Sequence, residues 1–120
     1  MFKTSSRLLV GAIAVLAVAC AGAPRPEARI ASSEGAIRGA QEAGAGKVPQ
    51  ATLELTLAQE QRQHALELVK DGDNHRAEMV LARAEADAEL AVALAHAATA
   101  KADADQAAQS VEDLQKKAAQ

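Results

Sequence analysis

Small and apolar residues recur along the second half of the chain at alternating spacings of four and three. The positions are Ala77, Leu81, Ala84, Ala88, Ala91, Ala95, Ala98 and Ala102. This is the a/d pattern of a helical heptad repeat, sustained for almost four heptads. Alanine is the best helix former and is depleted in strands. The pattern therefore predicts one long helix over residues 73–117 that buries this seam against another helix.

The seam is interrupted at Asp105 and Gln109, where polar residues occupy the next two positions. A neighbouring stripe replaces it, formed by Ala104, Ala107, Val111, Leu114 and Ala118. We therefore expect the buried face of the long helix to shift by one position towards its end. Because the seam consists mainly of methyl groups, a second helix should approach near the short end of the usual range of ~8–10 Å.

A second helix is predicted over residues 50–71. Its apolar stripe consists of Leu55, Ala58, Ala65, Leu68 and Val69, flanked by Leu53, Leu57 and Leu66. Its water-facing residues are expected to be Glu54, Glu60, Arg62 and Glu67. Gln61 and Arg62 interrupt the stripe at its middle, so the packing there should be imperfect.

The junction between these two helices is the sharpest local signal in the chain. Gly72 suits the left-handed position that ends a helix, Lys70 suits the last turn, and Asp73 is a good N-cap. So short a turn makes the helices antiparallel neighbours. Asp71 and Asp73 also match the first two positions of a calcium-binding EF-hand loop, but Ala82 stands where the bidentate glutamate belongs. A helical hairpin is the stronger interpretation.

A first, shorter helix is predicted over residues 26–43. Pro26 suits a helix start, and Ile30, Ile37 and Ala40 share one face. Two glycines, Gly35 and Gly39, either weaken this helix until it frays or give it a smooth face for close contact with another helix. Glycines and a proline in residues 44–49 then break the chain. The predicted fold class is all-α, a short N-terminal helix followed by a long, alanine-rich, coiled-coil-like antiparallel hairpin.

The first nineteen residues have the pattern of a signal peptide. Lys3 and Arg7 precede an apolar run over residues 8–18, and small residues at 17–19 form a cleavage site. Cys20, the only cysteine, follows directly. It is either incidental or, because residues 16–20 resemble a bacterial lipobox, the site of lipidation and the start of the mature chain. We expect Cys20 lipidation, a tether over residues 20–25 and no transmembrane span.

Composition narrows the functional classes. Removal of the leader would leave 11 basic and 16 acidic residues and no aromatic residue, because Phe2 is the only one in the sequence. An acidic chain without aromatic stacking platforms is a poor binder of nucleic acid. The three histidines, His64, His75 and His96, share no metal-ligand spacing, and no catalytic motif is present. We therefore expect no catalytic, cofactor-binding or metal-binding residues and no enzymatic activity.

The mature chain resembles an alanine-rich helical family of unknown function found in proteobacterial periplasmic lipoproteins. The matching residues are Cys20, Pro49, Leu55, Ala58, Ala65, Gly72, Asp73, Ala77, Ala84, Asp87, Ala88, Val111 and Leu114. The resemblance implies an envelope protein, in some members joined to a peptidoglycan-binding domain like that of outer membrane protein A. No such domain is recognised before Gln120, so direct attachment to the cell wall is less expected.

The sequence thus predicts a lipid-anchored protein of the outer membrane that faces the periplasm. Ala21, directly after the cysteine, favours that membrane by resemblance to bacterial lipoproteins. Its expected role is structural, binding an envelope protein or itself near Val111 and Leu114. Two alternatives stay open: a cell-wall tether, although the terminal lysine used by the major small outer-membrane lipoprotein is missing after Lys117, or an accessory subunit of an envelope enzyme or transporter.

Overall fold

A computed structural model describes residues 22–120 and contains three α-helices. Helix α1 spans Glu27–Glu42, α2 spans Pro49–Lys70 and α3 spans Asn74–Ala118, with a short 3₁₀ turn at Ala45–Lys47 between the first two. No strand occurs in this part of the chain, so the all-α fold class is confirmed. Each predicted helix boundary lies one residue from the observed one. The predicted signal peptide and Cys20 lie outside the described residues.

The turn between α2 and α3 has the predicted chemistry. Gly72 adopts a left-handed conformation with φ of 82°. Its N–H donates to the carbonyl of Val69, and the N–H of Asp73 donates to the carbonyl of Leu68. The Asp73 carboxylate then accepts a hydrogen bond from the N–H of Arg76 at 3.3 Å. These bonds satisfy backbone groups at both helix ends and fold α2 back along α3.

Helix α1 packs on the hairpin, mainly against α3. It runs parallel to α3, because the amide of Asn74 donates to the carbonyl of Ala23 at one end and Arg29 pairs with Glu85 further along. Its buried face consists of Pro26, Ser33, Ile37 and Ala40. Ser33 is tolerated there because its hydroxyl donates to the carbonyl of Ile30 in its own helix. The fold is a three-helix bundle at this end of α3.

The alanine seam of α3 forms the centre of the bundle over part of its predicted length. The buried positions are Ala77, Leu81, Ala84, Ala88, Ala91 and Ala95. Ala98 is half-buried and Ala102 is exposed. The seam therefore loses its partner about one heptad earlier than predicted. The reason is geometric: α2 starts at Pro49 and, together with the 3₁₀ turn, covers α3 only to this level.

The apolar stripe of α2 is also confirmed in most positions. Leu55, Ala58, Ala65 and Leu68 are buried, and Ala51 joins them. Arg62 is different: predicted to face water, it is half-buried and forms an ion pair with Glu34 of α1. The prediction was wrong because it considered only the packing of α2 against α3. Helix α1 lies beside Arg62 and covers part of its side chain.

The glycine pair in α1 does not form a helix-contact face. A Cβ atom placed on Gly35 or Gly39 would meet no atom of another element within 4 Å. Gly35 is exposed and Gly39 is half-buried, while the buried face of α1 lies elsewhere. The interpretation of these glycines as a smooth packing surface is therefore wrong. The frayed-helix alternative also fails, because α1 is a continuous helix that packs on α3.

Candidate interaction surface

Helix α3 is longer than the bundle, and its C-terminal part has no neighbouring helix among residues 22–120. Every residue from Lys101 to Gln120 is exposed, and this segment extends ~30 Å at 1.5 Å per residue. We call residues 101–118 the overhang of α3. Val111 and Leu114 lie on it with exposed fractions of 54% and 64%. The stripe that contains them was predicted to become the buried face, but no part of residues 22–120 covers it.

The overhang is a helix supported by its own side chains. Lys101 pairs with Asp105 at 2.7 Å, and Lys116 pairs with Glu112 at the same distance. The two residues of each pair are four positions apart, so they lie on adjacent turns of the same helix face. The two lysines near the end also complement the negative end of the helix dipole. The segment thus presents Val111 and Leu114 on a helix with local stabilisation.

A polar layer divides the bundle at mid-length. The amide of Gln61 donates to the Asp87 carboxylate at 2.6 Å, and Arg62 pairs with Glu34 at 2.9 Å. These contacts explain the interruption in the α2 stripe. Among residues 22–120, no group pairs with the buried Gln61 Oε1 or Arg62 Nε. The layer joins α2 to both neighbouring helices, through one ion pair to α1 and one amide–carboxylate hydrogen bond to α3.

A shallow groove of about 350 Å³ lies beside this layer, between α1 and α2. Glu34, Arg38 and Arg62 line it together with glutamines. Since Arg62 is already bonded to Glu34, the groove presents a neutralised pair and one further arginine. It offers no nucleophile with an adjacent base, the arrangement from which covalent catalysis is built. We therefore regard the overhang of α3, not this groove, as the candidate functional surface.

One protein-family model matches most of the chain. The model of a domain of unknown function, DUF4398, matches residues 28–107. The chain belongs to this family. The match covers nearly all of α1, the whole of α2, and α3 as far as residue 107, so it contains the three-helix bundle and the start of the overhang. Val111 and Leu114 lie beyond the matched residues. No curated protein and no solved structure shows significant similarity to the chain.

The histidines of this DUF4398 domain lie apart. His64 is on α2, whereas His75 and His96 are on α3, and all three are exposed. Within residues 22–120, no group of three His, Cys, Asp or Glu side chains is placed to hold a metal ion. Asp73, considered as a calcium ligand, serves instead as the N-cap of α3. Cys20, the predicted lipidation site, is not among the described residues.

Within residues 22–120, none of the three helices is both long enough and apolar enough to cross a membrane.

Proposed function

We propose that this DUF4398 protein is a non-catalytic lipoprotein of the outer membrane that faces the periplasm. Acyl chains on Cys20 hold it on the membrane, and a helical face binds an envelope protein or a second copy of the chain. Its role is structural or scaffolding. The observation that carries the proposal is the overhang of α3, which presents Val111 and Leu114 to solvent without a neighbour among the described residues.

The position of the N-terminal segment supports an anchor at one end of the domain. The carbonyl of Ala23 accepts a hydrogen bond of 2.7 Å from the amide of Asn74, the first residue of α3. Ala23 is three residues after Cys20, so a lipid on Cys20 would enter the membrane near the hairpin turn. Val111 lies 37 residues further along α3, which corresponds to ~55 Å at 1.5 Å per residue. The anchor and the candidate contact surface are therefore well separated.

The sequence supports an envelope location independently. Residues 1–19 have the charge and hydropathy pattern of a signal peptide, and residues 16–20 resemble a lipobox. The chain also resembles lipoproteins in which such a helical domain accompanies a peptidoglycan-binding domain like that of outer membrane protein A. A structural role is supported by the use of charged side chains in packing: Arg29 pairs with Glu85, and Arg62 pairs with Glu34, each across two helices.

Truncation tests the proposal directly. The full chain and a variant ending at Ala104 should be produced in a bacterial host and cross-linked in intact membranes. We expect the full chain to yield a defined cross-linked product and the truncated chain to yield none. Circular dichroism should show that the truncated domain unfolds at the same temperature, because the bundle ends before residue 100. An unchanged cross-linking pattern would refute the role assigned to the overhang.

A further inference from the structure

A second heptad seam runs along the exposed side of α3. Starting at Met79 and alternating steps of four and three residues, it reaches Ala118. Its large apolar members are Met79, Leu90, Val111 and Leu114, and its other members are alanine except Arg83. Every position on it is exposed. We call this series the outer seam. It lies roughly 180° around α3 from the buried seam, as calculated from 3.6 residues per turn.

The distribution of exposed apolar residues singles out this face. Five large apolar side chains are exposed in residues 22–120, with exposed fractions from 44% for Leu90 to 64% for Leu114. Four of the five lie on the outer seam, and the fifth, Leu53, lies on α2. Single exposed apolar residues need no explanation, but a series at heptad spacing predicts a helical partner. The seam drifts by ~20° per heptad on a straight helix, which favours a left-handed supercoil.

We infer that the outer seam binds the outer seam of a second copy of this chain in antiparallel orientation. This inference rests on the proposed function and names the partner that it leaves open. The paired register aligns the whole of both seams. Facing positions are then Met79 with Ala118, Arg83 with Leu114, Ala86 with Val111, Leu90 with Ala107, Ala93 with Ala104, and Ala97 with Ala100.

Side-chain size supports this register. Each large apolar residue of one copy faces an alanine or the aliphatic stem of Arg83 in the other, so two helices keep one close separation throughout. Pairing large with small residues is how facing layers interdigitate without voids. In a parallel pair, leucine would instead face leucine and alanine would face alanine, and the helix separation would have to vary. Arg83 of the two copies would also meet within the seam.

The polar residues that flank the seam support it as well. In the antiparallel register, the residues flanking the seam bring His96 of each copy beside Asp103 of the other, and no like charges face each other. A shift by one heptad that pairs Ala86 with Ala118 would place Asp103 opposite its own counterpart, and Lys101 likewise. That shift also leaves Met79 without a facing residue, and a larger shift in the same direction leaves Leu90 without one as well.

The area of contact also favours the whole seam. Two helices in contact over ~60 Å, each ~10 Å wide, cover ~600 Å² per copy, or ~1,200 Å² in total. That value reaches the lower limit of ~1,200 Å² for stable protein–protein interfaces. The overhang alone, at ~30 Å, would cover about half as much. Helices α1 and α2 lie on the other side of α3 in each copy and leave the contact unobstructed.

Cysteine cross-linking tests both partner and orientation. In the full chain carrying Cys20→Ala, we would introduce Ala93→Cys, Ala104→Cys, or both, and oxidise the purified proteins. In the proposed register, position 93 of one copy faces 104 of the other, so the double variant should form a covalent dimer. Each single variant should not, because its two thiols lie ~16 Å apart along the axis, too far for a disulfide bridge. Dimers of the single variants, or none of the double variant, would overturn the inference.

A matched pair of surface variants separates this inference from the proposed function. Leu90→Lys lies on the outer seam outside the overhang, and Leu53→Lys alters an equally apolar, exposed position on α2. By sedimentation, we expect Leu90→Lys to raise the dimer dissociation constant at least tenfold and Leu53→Lys to leave it unchanged. If the protein is monomeric, yet cross-linking in membranes depends on the overhang, this inference fails and the proposed function stands. If truncation at Ala104 leaves cross-linking in membranes unchanged, the proposed function fails, whatever the oligomeric state of the purified protein.

Discussion

Gln61 and Asp87 are 26 residues apart in sequence and joined by a 2.6 Å hydrogen bond at the middle of the bundle. Both are half-buried, in a layer between apolar segments. Hydrogen bonds of this kind stabilise a protein by ~1 kcal/mol on balance, but an unpaired buried partner costs ~1–3 kcal/mol. The bond therefore holds α2 and α3 in one register, because a shift of either helix would leave the other polar group unpaired.

This arrangement makes a prediction about single and double substitutions. Asp87→Ala alone should lower the free energy of unfolding by ~1–2 kcal/mol, because it leaves the half-buried Gln61 amide without its partner. Gln61→Leu combined with Asp87→Ala should recover most of that loss. Urea unfolding followed by circular dichroism measures both effects. A double variant no more stable than the single one would contradict the prediction.

Three glycines of the bundle differ in backbone conformation. Gly35 and Gly39 are helical with no neighbouring atom within 4 Å of an added Cβ, whereas Gly72 has a left-handed backbone with φ of 82°. Alanine at position 35 or 39 should stabilise the protein by up to ~1 kcal/mol each, since glycine is the poorer helix former. Gly72→Ala should destabilise it by ~1 kcal/mol. Thermal unfolding of the three variants provides the test, with opposite signs expected for the helical and turn positions.

The hairpin turn was predictable from the sequence because its chemistry is local. Gly72 and Asp73 satisfy backbone groups within five residues of themselves. The docking of α1 was not predictable in the same way. Its buried face includes Pro26 and Ser33, which a count of apolar residues omits, and Ser33 is accommodated only by a bond within its own helix. The sequence likewise marks Gln61 and Arg62 as an interruption, but their partners lie on other helices.

The seams of α3 show a different limit. Alanine occurs on every side of this helix, so heptad spacing alone identifies more than one possible face. The sequence correctly predicted the seam from Ala77 to Ala95 because a second helix of matching length precedes it. The stripe with Val111 and Leu114 was predicted only from Ala104 onwards. Its continuation back to Met79 became apparent once the exposed fractions of the side chains were known.

Membrane attachment through Cys20 makes a prediction that is independent of the fold. In cells expressing the full chain, radioactive palmitate should label the protein, and Cys20→Ala should remove the label. The altered protein should also leave the membrane fraction, because acyl chains contribute ~0.8 kcal/mol for each buried CH₂. Persistent labelling of Cys20→Ala would exclude lipidation at this residue. Ser33→Ala, which changes a buried residue without touching the leader, serves as the labelled control.

The apolar side chains of the overhang are expected to be required for association. Val111→Lys together with Leu114→Lys removes the two largest apolar side chains from this segment, both more than half exposed. Lysine is a good helix former and is favourable near a helix C-terminus, so α3 should keep its length. We expect association measured by light scattering to be lost and the unfolding temperature to stay within a few degrees of the parent. Leu53→Lys on α2, with the same change in chemistry away from the overhang, should leave association unaltered. Equal effects of both changes would mean that added charge, and not the loss of this face, disrupts binding.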